Sequence, residues 1–150
     1  MLTQLTSFAN IGLSCERITV EVGSVHGEHN LLIVGLGDTA VQESKQRVRL
    51  ALRTSGYRLP LGKNLTINLA PADIKKVGPR FDLPIALGIL IASELIDVPE
   101  ETLKNTAFLG ELSLDGSLRH ISGTLSAAIA CRNHGIKMLV VPAINAEEAS

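Results

Sequence analysis

Apolar and polar residues alternate along the early part of the chain, with the two-residue period that is typical of half-buried β-strands. Arg17 to Ser24 (RITVEVGS) carries this alternation on β-branched residues, and Phe8 to Leu13 predicts a short strand before it. Asn30 to Leu36 (NLLIVGL) follows a turn at residues 26–29, so we expect a strand there that pairs back on the preceding one. Leu65 to Leu69 (LTINL) predicts a further strand.

The segment after Gly37 changes to the helical period of 3.6 residues. Its pattern continues to about Ser55, and Gly56 is a typical helix stop. Thr39 to Gln42 has the T-x-x-Q pattern of a capping box, in which side chains satisfy free backbone N–H groups at a helix start. The inward side of this helix is predicted to hold Val41, Val48, Ala51 and Leu52.

The segment from Leu69 to Leu90 (LAPADIKKVGPRFDLPIALGIL) runs from the end of a strand, through a charged loop, into a helix that is apolar all round. Asp82 is predicted to be the N-cap of that helix, and Pro84 lies in its first turn, where a missing N–H is harmless. The apolar run Leu83 to Ile96 is shorter than the roughly 20 residues of a membrane span, so it is predicted to be a buried helix.

The second half of the chain predicts short elements that are separated by turn signals. Ala107 to Leu114 and Ser117 to Ile121 are predicted to form a hairpin around Asp115-Gly116, a type I′ turn signal. Further elements are predicted after Pro99, at Thr124 to His134, at Met138 to Val141 and after Pro142. Strands come first and then alternate with helices, so the predicted fold class is α+β, or α/β with a mixed sheet, in a single domain.

The composition supports a packed domain and excludes some classes of function. The 150 residues are 45% hydrophobic but only 3% aromatic, so the core must be aliphatic. A base-stacking nucleic-acid platform needs several exposed aromatic rings, and this chain has too few, too scattered, to build one: Phe8, Tyr57, Phe81 and Phe108. The formal net charge of −1 gives no global attraction to nucleic acid or to an anionic membrane, so such binding would need a local patch.

Cys15 and Cys131 are the two cysteines, far apart and without CxxC spacing. This usage fits a reduced cytoplasmic protein better than a disulfide framework. The first residues, MLTQLTSFANIGLS, lack a basic segment followed by a continuous apolar run, so no signal peptide is predicted. We therefore expect a cytoplasmic protein without a membrane partner.

Three long blocks resemble, in order and spacing, the N-terminal domain of the magnesium-chelatase-like AAA+ ATPases of the ComM (YifB) competence family. The blocks are IVGLGDTAVQESKQRVRLAL at Ile33 to Leu52, INLAPADIKKVGPRFDLPIALGIL at Ile67 to Leu90 and FLGELSLDGSLRHISGTLSAAIA at Phe108 to Ala130. The resemblance covers essentially the whole chain. Because that domain is similar to the catalytic domain of Lon protease, the resemblance implies a ribosomal S5 domain 2-like fold.

The resemblance also implies a larger context. Residues 1–150 would be a Lon-like (ChlI-type) N-terminal domain of a longer AAA+ protein, in which ATP and Mg²⁺ belong to an ATPase module. These residues hold no G-x-x-x-x-G-K-[ST] motif, so no cofactor is expected in this chain. The implied partners are the ATPase module, further copies in a hexameric ring, and DNA. The implied role is that of a helicase in branch migration during natural transformation.

Peptidase chemistry of the Lon type requires a serine that is activated by a lysine. By the resemblance, the serine would follow Gly78-Pro79, and the lysine would lie in the first turn of the helix after Gly123. This sequence has Arg80 and Leu125 at those places. A guanidinium cannot attack a carbonyl group, and a leucine cannot take a proton.

We therefore expect a non-catalytic domain that acts in ring assembly or in DNA contact. One alternative is a residual serine peptidase with Ser122 or Ser126 as the nucleophile. Another is a purely structural oligomerisation domain.

Two groups of basic residues are candidate contacts for nucleic acid or for an acidic partner. One follows a helix face at four-residue spacing, and the other lies in the loop around Gly78. Their members are Lys45, Arg49 and Arg53 on the helix, and Lys75, Lys76 and Arg80 in the loop. The alternatives are a solvated helix face partly paired with Glu43, and an ion pair from Arg80 to Asp73 or Asp82.

No metal site is predicted. His26 and His29 flank Glu28 in a turn and have a spacing that could hold a metal ion, but a solvated turn is the simpler interpretation. His120 is predicted to lie on the surface.

Overall fold

The computed structural model describes residues 1–59, 62–76 and 78–149. Strands β1 (Leu2–Ile11) and β2 (Ser14–His26) form a long antiparallel hairpin, in which Leu5 lies opposite Val20. The first strand is longer than the predicted Phe8 to Leu13. The prediction missed its N-terminal half because buried Thr and Ser residues interrupt the apolar alternation there.

Strand β3 (Asn30–Val34) pairs in parallel with β4 (Lys63–Ala70), and β4 in turn is antiparallel to β2. The prediction that residues 30–36 pair back on β2 is therefore wrong. Helix α1 (Asp38–Thr54) connects β3 to β4, so these three elements form a β-α-β unit with parallel strands. Strand β4 lies between two other strands, and its residues Leu65, Ile67 and Leu69 are almost completely buried.

Strand β5 (Thr106–Phe108) is followed by a small hairpin of β6 (Glu111–Leu112) and β7 (Leu118–Arg119). The hairpin is shorter than predicted, because β5 belongs to the main sheet. Its turn is not type I′, since Gly116 has φ +90° while Asp115 does not have a positive φ. Gly116 N donates to the carbonyl group three residues earlier, which is typical of a type I turn followed by a glycine bulge.

The main sheet has six strands within the described residues, in the order β3-β4-β2-β1-β5 and then a last strand, β8 (Met138–Val140). Strand β5 is parallel to both of its neighbours. Ser7 Oγ donates a 2.7 Å hydrogen bond to Phe108 O and so joins β1 to β5. The sheet is mixed, which confirms the predicted fold class.

The remaining helices lie close to their predicted places, at α2 (Asp82–Ala92), α3 (Glu100–Lys104), α4 (Thr124–Asn133) and α5 (Ala146–Ala149). The predicted capping box at Thr39 to Gln42 is wrong, because α1 begins at Asp38 after Gly37 and has no side-chain cap. The Asp38 carboxylate instead lies in the first turn, where the helix dipole favours a negative charge.

The core has two parts, on opposite faces of the sheet. Helices α1 and α2 cover one face. Helix α2 contacts β1, β2 and α1, so most of its sides face other parts of the protein, and this explains why it is apolar all round. Phe8 points to the other face and packs under α4 with Ala127 and Cys131. Within the described parts of the chain, no helix combines the length and the apolar character needed to cross a membrane.

Candidate functional site

The loop that carries three of the predicted contact residues lies between β4 and α2. After the cis peptide bond Ala70-Pro71, the chain reaches a 3-10 turn at Pro79–Phe81, directly before α2. Gly78 has φ +85°, a conformation that strains residues with a side chain. The side chains of Arg80 and Phe81 that follow it are both buried.

Arg80 is 8% exposed and connects the start of α2 to the start of α4. Its Nη2 donates a 2.8 Å hydrogen bond to Ser122 O, so it contacts this carbonyl group and not Asp73 or Asp82. Its Nη1 has no hydrogen-bond partner among the described residues. Burial lowers the pKa of Arg80, and the nearby Cys15 opposes that shift.

This hydrogen bond starts at Arg80, where the Lon resemblance implies a serine. It ends on the Ser122 carbonyl group, three residues before Leu125, where the resemblance implies a lysine. Leu125 is 52% exposed and has no group that accepts a proton. At both places where the resemblance implies a catalytic group, this chain therefore has a side chain that cannot perform the chemistry.

The other two cations of the loop differ in exposure. Lys76 is 4% exposed, and its Nζ donates hydrogen bonds to Pro71 O and Ile74 O. Burial lowers the pKa of Lys76, and the Asp73 carboxylate opposes that shift. Lys75 is exposed. The expectation that all three loop cations face a partner needs correction, because two of them are buried and donate to backbone carbonyl groups.

A pocket of about 420 Å³ lies between this loop and the start of α1, and its lining includes Gly35, Gly37, Gly78, Lys75 and Lys76. Glycines and a lysine beside a helix N-terminus are also the parts of a phosphate-binding loop. In this pocket, however, the amino group of Lys76 already donates to two carbonyl groups. The Lys76 amino group is therefore already occupied and is not free to bind a phosphate.

Asp82 has a different role from the predicted one. Helix α2 begins at Asp82 itself, after Phe81, and no side chain caps it, so the predicted N-cap is wrong. The carboxylate accepts hydrogen bonds from Arg47 Nε at 2.6 Å, from Ser44 Oγ at 2.9 Å and from Leu112 N at 3.1 Å. The bond to Asp82 raises the pKa of Arg47, and burial opposes that shift. One buried carboxylate thus ties α1, α2 and β6 together.

The basic residues of α1 have different surroundings. Lys45 is half-buried. Arg47 makes its short ion pair with Asp82, whereas its contact with Glu43 is 3.9 Å long. The predicted pairing with Glu43 is therefore present for Arg47, but as the weaker of its two ion pairs.

Arg49 and Arg53 line a groove of about 610 Å³ together with His29, Tyr57 and Arg58. The loop cations lie beside the opposite end of α1, about 20 Å away along the helix axis, so the two predicted basic groups form separate surfaces. Tyr57 and Arg58 were not among the predicted contact residues. The sequence feature that could have indicated them is the helix stop at Gly56, because the chain folds back over the end of α1 after it.

The histidines and cysteines were the remaining candidates for a metal site or a nucleophile. His26, His29 and His120 are exposed. Within residues 1–59, 62–76 and 78–149, no three His, Cys, Asp or Glu side chains are arranged to hold a metal ion. Both cysteines are free thiols, and burial raises the pKa of Cys131 to about 11 and also raises that of Cys15. Neither thiol is therefore activated as a nucleophile at neutral pH.

Comparison with known proteins gives two kinds of match over most of the chain. The family described as subunit ChlI of Mg-chelatase matches residues 20–145. The competence protein ComM of Haemophilus influenzae is 41% identical over 144 residues, which cover 96% of this chain and 28% of that protein. An uncharacterized protein YifB of Escherichia coli is 44% identical over 132 residues, which cover 88% of this chain and 26% of that protein. The chain thus spans about a quarter of the length of these relatives.

A more distant similarity concerns Lon protease. The Lon protease of Endomicrobium trichonymphae is 29% identical over 140 residues, which cover 89% of this chain and 17% of that protein. This similarity agrees with the mixed sheet and confirms the predicted Lon-like fold.

Proposed function

Because the chain belongs to the ChlI family of Mg-chelatase-like proteins, among its ComM- and YifB-like members, we propose that it is a non-catalytic Lon-like domain of a DNA-processing ATPase. Residues 1–150 would form the N-terminal domain of a longer cytoplasmic AAA+ protein. ATP and Mg²⁺ would be used by its ATPase module, in a hexameric ring that promotes branch migration during natural transformation. This domain would contribute to ring assembly or to DNA contact.

The observation that carries this proposal is the buried Arg80 at the place of a Lon-type nucleophile. Its guanidinium is fixed to Ser122 O, and the neighbouring lysine position holds Leu125. A scaffold with these substitutions lacks the activated nucleophile on which covalent peptide hydrolysis depends. The exposed basic residues instead support a function in binding a partner.

A residual peptidase that uses another serine is the rival function. Ser126 and His134 line one groove, but they lie at the two ends of α4, about 12 Å apart along the helix axis. A general base must lie within hydrogen-bond reach of its nucleophile, so this pair does not form a catalytic dyad. Ser122 has an exposed side chain, and no described side chain hydrogen-bonds to it.

We expect the chain to show no peptide turnover and no labelling by a fluorophosphonate probe. The measurement is hydrolysis of fluorescent casein at neutral pH, with a Lon protease as the positive control. Ser122→Ala and Ser126→Ala serve as matched variants and should behave as the unsubstituted chain does. Turnover that one of these substitutions abolishes would contradict the proposal and support the peptidase.

If the domain contacts DNA, its binding should weaken as the salt concentration rises, because lysine and arginine side chains that bind phosphates displace the counterions of the DNA. The measurement is the fluorescence anisotropy of labelled branched, duplex and single-stranded DNA titrated with the chain. Sedimentation velocity of the same samples reports its self-association. Oligomers without salt-dependent DNA binding would reject DNA contact and favour the purely structural oligomerisation domain.

A further inference from the structure

A basic groove lies at the C-terminal end of α1. Its polar lining is His29, Arg49, Arg53, Tyr57 and Arg58, and we refer to these residues as the arginine groove. Its volume of about 610 Å³ lies in the usual range of small-ligand sites.

The arginine groove is built by the way in which α1 ends. Gly56 has φ +93°, Gly56 N donates to Arg53 O, and Tyr57 N donates to Leu52 O, both at 3.0 Å. This is the Schellman pattern, in which a glycine reverses the chain across the last helical turn. It places Tyr57 and Arg58 beside Arg53, and it satisfies helix carbonyl groups that would otherwise repel an anion.

The three arginines of the groove are free to bind a partner. Unlike those of Arg47 and Arg80, their side chains are exposed and form no hydrogen bond or ion pair with any described residue. No Asp or Glu is among the described residues that line the groove. Three arginines therefore line one concave surface that has no acidic residue among its described lining, although the net charge of the chain is −1.

We propose that the arginine groove binds single-stranded DNA. The arginines would contact backbone phosphates in the bidentate geometry that a guanidinium favours, and the Tyr57 ring would stack on an unpaired base. Tyr57 is 37% exposed, so part of its ring is available, whereas the bases of a duplex are already stacked on each other. The aromatic ring favours nucleic acid over an acidic peptide. The inference rests on the DNA contact of the proposed function and assigns it to one surface.

The test compares binding of a labelled oligothymidine of about 20 nucleotides and a duplex of the same length. The groove variant is Arg49→Ala/Arg53→Ala/Arg58→Ala, and the matched control is Lys104→Ala/Arg132→Ala/Lys137→Ala, which removes three exposed cations elsewhere. Tyr57→Ala and Tyr57→Phe test stacking separately. All six residues in the triple variants are exposed, and thermal unfolding followed by circular dichroism checks that each variant is folded.

With three phosphate contacts, binding of the single strand should weaken roughly 20-fold between about 50 and 200 mM salt. The groove variant should lose most of this salt dependence and bind at least about ten-fold more weakly at low salt. The control variant should bind within about two-fold of the unsubstituted chain. Tyr57→Ala should weaken binding about five-fold or more, and Tyr57→Phe should preserve it.

Four outcomes would overturn the inference. Equal loss in the groove and control variants would place DNA contact elsewhere and leave the proposed function standing. Tighter binding of the duplex would reject single-strand recognition. Displacement of the DNA by polyglutamate at equal charge concentration would indicate an acidic protein partner. Absence of DNA binding by the unsubstituted chain would reject the inference together with the DNA contact on which it rests.

Discussion

Replacement of Asp82 by alanine is expected to lower the free energy of unfolding by about 3–5 kcal/mol, the usual cost of removing one partner of a buried ion pair. The Asp82 side chain is 1% exposed and holds Arg47, Ser44 and the Leu112 amide. Alanine would leave a partly buried guanidinium, a buried hydroxyl and a buried N–H without their acceptor. The contacts between α1, α2 and β6 would weaken together.

The measurement is urea unfolding at neutral pH, followed by circular dichroism. Asp97→Ala is the matched control, since it removes an exposed carboxylate and should change the free energy by no more than about 0.5 kcal/mol. Asp82→Asn should lie between the two, because it keeps the shape and part of the hydrogen bonding. A loss for Asp82→Ala no greater than that for Asp97→Ala would refute the structural role assigned to this carboxylate.

Replacement of Gly35 by alanine is expected to destabilise the protein by about 2–5 kcal/mol, through backbone strain and overpacking together. Gly35 follows β3 with φ +99°, a region that L residues rarely adopt. A Cβ placed there would lie 2.4 Å from Leu69 O and 3.1 Å from Leu69 Cβ on the paired strand. Because the obstacle is backbone, β3 and β4 would have to move apart.

Gly56→Ala is the matched control for this substitution. Gly56 has a similar φ of +93°, but a Cβ there would meet no atom within 4 Å. It should therefore cost only the strain, about 1–2 kcal/mol. The difference between the two variants in urea unfolding isolates the close approach of β3 and β4. Equal losses in the free energy of unfolding would show that the close approach of the two strands does not contribute to the effect of Gly35→Ala.

Arg80 and Asp82 illustrate where sequence reasoning succeeds and where it fails. The sequence places Asp82 at the start of a helix, and this holds in the structure, where Arg80 lies in the turn directly before that helix. Their partners are Ser122 O and Arg47, which lie 42 and 35 residues away along the chain. Local patterns predicted a nearby ion pair and an N-cap, because such patterns describe only interactions between close neighbours in sequence.

The arginine groove also contains residues that only the folded chain brings together. The four-residue spacing of Arg49 and Arg53 was sufficient to predict a basic helix face. Tyr57 and Arg58 join that face only because a Schellman turn folds them back over the helix end. The sequence contained the glycine that permits this turn, but it did not specify which side chains the turn would bring together.

The sequence by itself determined the approximate places of most helices and strands, the apolar character of α2, and the presence of Arg80 and Leu125 where the resemblance implies a serine and a lysine. These properties follow from residue identity and from local periodicity, which depend on neighbours a few positions apart. The tertiary structure alone decided that β4 lies between β2 and β3, that Lys76 and Arg80 are buried, and that Asp82 binds Arg47. Strand order and the burial of a charge depend on which distant segments pack together, because only that packing removes water and supplies the hydrogen-bond partners.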